Sequence, residues 1–143
     1  MQKLLFTLVV CALIFSACST REKAEPVVPS GDSVVIDGAS IRPGEAKFFE
    51  YEFRGKEIRF IVGRKSAGAF VTAFDACATC YVYKKGYRAE PGCVVCNECG
   101  SRFRLGEMEK GLWNCVPIAL PHTASGDKVV IKLSDIEGGY MWF

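Results

Sequence analysis

From Ser33 onwards the apolar positions fall in short runs, broken every few residues by glycine, proline or charged pairs. Ser33–Ile41 (SVVIDGASI) is interrupted by Asp37-Gly38. Ala46–Phe53 (AKFFEYEF) alternates in part and ends at the turn Arg54-Gly55. Glu57–Gly63 (EIRFIVG) follows at hairpin distance, and Ala69–Phe74 (AFVTAF) runs directly into Asp75-Ala76-Cys77. Arg102–Leu105, Val116–Leu120 and Lys128–Leu133 complete the candidate strands. β-branched and aromatic side chains dominate most of these runs, which suits a pleated, half-buried surface. No stretch keeps a period of 3.6 long enough for a long helix. The pattern predicts a mainly β domain over residues 33–143, a small antiparallel β-sandwich or barrel.

The first residues read differently. Lys3 precedes an apolar run, Leu4–Phe15, that is shorter than the roughly 20 residues a membrane span needs. Ser16 and Ala17 then lead into Cys18. This order resembles a bacterial lipoprotein signal, with Phe15 where leucine is usual. A plain cleaved signal peptide shares the same composition. The resemblance implies that residues 1–17 are removed together with Cys11, and that Cys18 is acylated by palmitate-type chains. It places the protein in the bacterial cell envelope as a periplasm-facing or surface lipoprotein. Residues 18–32, polar and with two prolines in STREKAEPVVPSGD, read as a tether between the lipid anchor and the domain.

Composition sharpens this picture in one respect. The net charge is +2, which gives no electrostatic case for nucleic acid as a partner. Eight cysteines in 143 residues are many, and six of them (Cys77, Cys80, Cys93, Cys96, Cys99 and Cys115) lie between residues 77 and 115. Such clustering favours a metal site over a disulfide framework, which would link distant parts of the chain.

Cys77-Ala-Thr-Cys80 and Cys96-Asn-Glu-Cys99 are two Cys-x-x-Cys hooks separated by residues 81–95. Two residues between cysteines let a tight turn aim both sulfurs at one point. Two such turns joined by a hairpin make a pocket of four thiolates. Gly100, just after the second hook, suits the positive φ such a turn requires. The set leaves the metal open between zinc, iron, an iron–sulfur cluster and copper(I). In an oxidising compartment disulfides, and with them a thiol-redox role, compete with metal. Cys93 and Cys115 are additional. They are candidates for a bracing disulfide or for a ligand replacing another, with Cys115 placed nearer the metal and Cys93 equally readable as a surface thiol.

These residues carry two resemblances. The aromatic strand KFFEYEFRGKEIRFIVG, the run AFDACATC, the motif KKGYRAE, the hook VCNECGSRF and the closing CVPIAL resemble the FtrD-like family of membrane-associated iron–sulfur proteins. The resemblance covers most of residues 33–143. It implies a cofactor site at Cys77, Cys80, Cys96, Cys99 and Cys115, an iron–sulfur cluster, and an association with ferrous iron uptake. A redox or iron-permease partner at the membrane follows from it. Family members often carry N-terminal transmembrane helices, where this chain has a lipoprotein-like signal. More loosely, Cys96-Asn-Glu-Cys99-Gly-Ser-Arg-Phe resembles the second ligand box of Rieske proteins, with cysteine at Cys80 and Cys99 in place of histidine. Pro117 and Leu120 stand where the Rieske proline loop would. That analogy implies a β-sandwich bearing a two-loop, Rieske- or rubredoxin-like metal subdomain, all-thiolate and of lower potential than an imidazole-ligated centre.

The remaining residues add little chemistry. His122, the single histidine, sits in a turn-rich stretch and reads as solvated. Lys84, Lys85 and Arg88 read as a solvated hairpin tip or a docking patch for an acidic partner. Tyr81, Tyr83, Tyr87 and Trp113 are candidates to shield a cluster, or ordinary packing. No Cys-x-x-Cys-His, nucleophile triad or hydrolytic carboxylate pair is present. The sequence therefore predicts an electron carrier or iron-uptake accessory rather than a stand-alone enzyme. A non-redox zinc-binding interaction module is the alternative.

Overall fold

The computed structural model describes residues 21–109 and 115–143. The expected signal segment 1–17, Cys11, the lipidated Cys18 and Trp113 lie outside the described residues. Among the described residues eleven strands are formed: β1 (Ala24–Pro26), β2 (Ser33–Asp37), β3 (Ala46–Phe53), β4 (Lys56–Arg64), β5 (Phe70–Cys77), β6 (Tyr87–Glu90), β7 (Cys93–Cys96), β8 (Arg102–Arg104), β9 (Pro117–Ala119), β10 (Thr123–Ser125) and β11 (Lys128–Lys132). The single α-helix among the described residues, α1, is the short Leu133–Glu137. No described helix is long and apolar enough to cross a membrane.

The strands form three sheets. The largest has the order β1-β3-β4-β5-β9, the second β10-β11-β2, and the third β6-β7-β8. Only the β1–β3 pair is parallel. Among the described residues the fold is mainly β, built from open antiparallel sheets, and none of them closes into a barrel.

Side chains alternate between the two faces of a strand, and the central sheet uses both. Phe49, Ile58, Phe60, Val62, Phe70, Phe74 and Ala76 project from one face into a core shared with Val34, Ile36, Val129 and Ile131 of the second sheet and Ile136 of α1. This is the sandwich. Phe48, Ile61, Val71, Ala73 and Cys77 project from the other face into a core shared with Tyr87 and Val94 of the third sheet, Cys96, Leu105, Met108 and Cys115. The third sheet is thus a separate layer laid on the back of the sandwich, and the cysteines sit in its seam. Burial on both faces explains why β4 and β5 read as nearly continuous apolar runs.

One expectation changes. Of the expected tether, residues 21–32 are not free throughout, because Ala24–Pro26 pairs with Phe48–Glu50 as an edge strand and Arg59 donates to the carbonyl of Glu22. Proline tolerates this edge position, where its missing N–H faces outward. The hairpin expected between the hooks is formed by Tyr87–Glu90 and Cys93–Cys96, paired antiparallel.

Candidate metal centre

Cys77 ends β5, the most buried strand of the sheet, and so the first hook starts from a fixed point. The Cys80 N–H donates to Cys77 Sγ at 3.2 Å. The second hook begins at Cys96, the last residue of β7. It is closed by Gly100 N–H donating to the Cys96 carbonyl at 2.9 Å. Gly100 has φ +74, the left-handed conformation expected of it.

The third approach is the segment after residue 114. Cys115 has φ +55, an uncommon conformation for a residue with a Cβ. Both of its backbone polar groups are held. Its N–H donates to Thr79 Oγ1 at 3.2 Å, and its carbonyl accepts from the Tyr87 hydroxyl at 2.6 Å. The Ala78 N–H donates to the Val116 carbonyl at 3.0 Å, so the first hook and the Cys115 segment are clamped together.

Five thiols converge as a result. Cys77, Cys80 and Cys96 form one compact group, and Cys80, Cys99 and Cys115 a second, with the sulfurs of each group within 4.8 Å of one another. Cys80 belongs to both. The Cys115 sulfur lies 2.8 Å from that of Cys99 and 3.4 Å from that of Cys80. Cys77, Cys96 and Cys115 are buried, Cys80 is half-buried and Cys99 is exposed. Cys93 is outside the set. It lies three residues before Cys96 on a strand, so its side chain leaves the opposite face from Cys96. All six described cysteines are free thiols.

The thiols polarise one another. Burial raises the Cys99 thiol, but hydrogen bonds with Cys115 and Ser101 outweigh this and bring it down to about 6. The hydrogen bond with Cys99, and then burial, push Cys115 up to about 12. Burial also raises Cys80 and Cys96. At Cys77 burial is overcome by the N–H groups of Cys80 and Thr79, and the thiol is lowered. The site therefore contains both stabilised and destabilised thiolates side by side.

The support beneath these sulfurs is not part of the cysteine motif. Asp75 lies two residues before Cys77 on the same face of β5 and is fully buried. Its carboxylate pairs with Arg59 at 3.1 Å and with Arg21 at 3.6 Å, and its Oδ1 accepts the Tyr87 N–H at 2.6 Å. Burial pushes Asp75 up to about 6 against the pull of Tyr87, Arg59 and Arg21. A Cβ on Gly86, where φ is +59, would come within 2.4 Å of Asp75 Oδ1, so only glycine fits. A charged residue inside the apolar run AFVTAFDAC was the available signal.

The other weighed residues separate clearly. Tyr87 lies fully buried against the site, whereas Tyr83 is largely exposed and Tyr81 packs on the sandwich core. Lys84 and Lys85 are exposed, as expected of a hairpin tip, while Lys85 pairs with Glu98 and Arg88 donates to Asn97, so two of the three cations also brace the second hook. His122 is not simply solvated, because its Nδ1 lies 2.8 Å from Oγ1 of the buried Thr72.

A set of five soft sulfur donors, with no oxygen or nitrogen donor among them, fits thiophilic metals and iron–sulfur clusters. No curated protein matches the chain. The model of the family described as membrane iron–sulfur containing proteins, FtrD-like, matches residues 41–143, a span that includes both hooks, Cys115, Asp75 and Tyr87. The chain accordingly belongs to the FtrD-like family of membrane iron–sulfur containing proteins.

Proposed function

We propose that Cys77, Cys80, Cys96, Cys99 and Cys115 form the binding site of an iron–sulfur cluster, and that the protein passes single electrons at the bacterial cell envelope in support of iron uptake. The observation that carries this reading is the all-sulfur donor set, buried at Cys77 and Cys96 and open at Cys99. When bound, such a cluster supplies one-electron redox chemistry. The chain's own residues hold and expose it. Tyr87 and Val94 keep water from the inner side. The N–H of Cys80 stabilises charge on Cys77 Sγ. Ala78, Thr79, Cys99 and Gly100 are exposed, which leaves a short path for an electron to a partner at the surface.

The envelope location rests on the signal-like segment and on acylation of Cys18. Two residues lie between Cys18 and the packed Arg21, and three extended steps of chain span at most about 11 Å. A lipidated form would hold the domain close against the membrane, where a redox or iron-permease partner resides.

Anaerobic purification with an absorption spectrum and iron and sulfide analysis tests the cluster. A brown protein that bleaches with dithionite supports the reading. A colourless protein with one zinc per chain overturns it in favour of a structural zinc module. Palmitate labelling of the full chain, lost in Cys18→Ser, tests the anchor.

A further inference from the structure

The site offers more sulfur than a four-coordinate ion, or a cluster with four protein ligands, requires. The excess is localised. Cys77 and Cys96 are deeply buried and form the inner group with Cys80. The outer group instead contains three sulfurs, Cys80, Cys99 and Cys115.

Within that group Cys99 and Cys115 are 2.8 Å apart. Two thiolates on one tetrahedral ion with bonds of about 2.3 Å stand about 3.8 Å from each other. At the observed spacing the two sulfurs occupy the place of one ligand. The two arms that carry them are independent. Cys99 rides on the exposed end of the second hook, whereas Cys115 is buried and clamped by Thr79 and Tyr87 from the opposite side. The positive φ at Cys115 shows that this clamp holds the backbone away from its ordinary preference to bring the sulfur there.

We infer that Cys99 and Cys115 are interchangeable ligands for a single outer coordination position, with Cys115 a built-in reserve for the exposed Cys99. This deepens the proposed function, since it rests on the five-thiol site binding metal, but it does not depend on which metal is native. Loss of Cys99 leaves Cys115 within reach of the same position, and loss of Cys115 leaves Cys99. Loss of both removes the outer ligand. Cys96, at the buried end of β7, belongs to the inner group and not to this outer one.

The test uses the full chain, prepared metal-free and titrated with cobalt(II), read by its sulfur-to-cobalt charge-transfer absorption. Cys99→Ala and Cys115→Ala each keep a stoichiometric band, with affinity lowered by roughly tenfold or less, the scale of a perturbed but intact site. Cys96→Ala and the double variant Cys99→Ala/Cys115→Ala lose the tetrathiolate band. If Cys99→Ala alone loses the band as completely as Cys96→Ala, or if Cys115→Ala alone does so, the inference is overturned. Alkylation of the cobalt-loaded wild type followed by peptide mass analysis gives a second readout. Label shared between Cys99 and Cys115, and absent from Cys77 and Cys96, agrees with exchange; protection of both Cys99 and Cys115 contradicts it. A wild type that binds cobalt in this way yet carries no iron or sulfide when purified would overturn the cluster and leave the ligand exchange standing.

Discussion

The hydroxyl of Tyr87 donates to the backbone carbonyl of Cys115 at 2.6 Å, across a sequence separation of 28 residues. The tyrosine is fully buried, so neither group has water as a substitute. Through this bond the start of β6 fixes where the third cysteine arm stops. The same residue's N–H is fixed by Asp75. One tyrosine therefore links the strand that ends in the first hook to the segment that carries Cys115.

Tyr87→Phe keeps the ring and removes the donor. The orphaned carbonyl is expected to cost about 1–2 kcal/mol. Urea denaturation of the metal-free protein measures this. In the Cys99→Ala background, where Cys115 is the outer ligand, adding Tyr87→Phe should lower cobalt affinity by roughly tenfold, because the Cys115 arm loses a restraint and not its sulfur. An unchanged affinity in that background would show that the clamp does not position Cys115.

How the sequence relates to this arrangement is visible at these same residues. The hooks were legible because their geometry is local: two intervening residues decide where two sulfurs point. β3 and β4 were legible because Phe49, Phe60 and their neighbours alternate against a core. β6 and β7 were not. Tyr87-Arg88-Ala89-Glu90 has no strong pattern of its own, and its place is set by Asp75, twelve residues earlier. β1 was missed for the same reason. It is a short edge held by backbone pairing to β3 and by Arg21 and Glu22 reaching Asp75 and Arg59. What escaped the sequence was tertiary support converging on one buried carboxylate.

That carboxylate predicts an asymmetry between its two sides. Arg59→Met removes the nearer cation from a fully buried Asp75, and is expected to destabilise by about 3 kcal/mol, as breaking a buried ion pair does. Asp75→Asn should cost less at neutral pH. Burial already favours an uncharged group there, and the amide oxygen still accepts the Tyr87 N–H. Chemical denaturation of both variants at pH 7 decides the order. The reverse order would mean that the arginines, not the desolvated carboxylate, dominate this site.

Gly86 and Gly100 both have positive φ, but only one is crowded. Gly86→Ala drives a Cβ into Asp75 and should both destabilise the protein, by about 2–3 kcal/mol, and weaken cobalt binding. At Gly100 nothing lies within 4 Å of the added Cβ, so Gly100→Ala should cost only the left-handed strain, about 1 kcal/mol. Equal losses in the two variants would refute the role given to the Gly86–Asp75 contact.

Thr72 and His122 give a spectroscopic prediction. The Thr72 hydroxyl has one proton and donates it to the Leu120 carbonyl. Its oxygen must then accept from His122, which makes Nδ1 the protonated nitrogen of the neutral ring. Nitrogen-correlated NMR of the imidazole should show Nδ1–H as the major neutral tautomer. Thr72→Val should abolish that preference. An Nε2–H ring in the wild type would place the Thr72 proton elsewhere.

Removing metal should soften one layer and spare the other. The sandwich core, from Val34 and Ile36 through Phe60 and Phe74 to Ile131 and Ile136, contains no cysteine. The opposite core includes Cys77, Cys96 and Cys115 among its buried members. Several thiolates left together without a cation repel one another, and protonation only partly relieves this. The metal-free chain should therefore stay folded, with amides of β4 and β11 still slow to exchange with deuterium. Exchange should quicken at Tyr87–Glu90, Cys93–Cys96 and Ala78, whose hydrogen bonds belong to the cysteine layer. Uniform loss of protection in both layers would mean that the metal holds the whole fold, and that the sandwich is not stable without it.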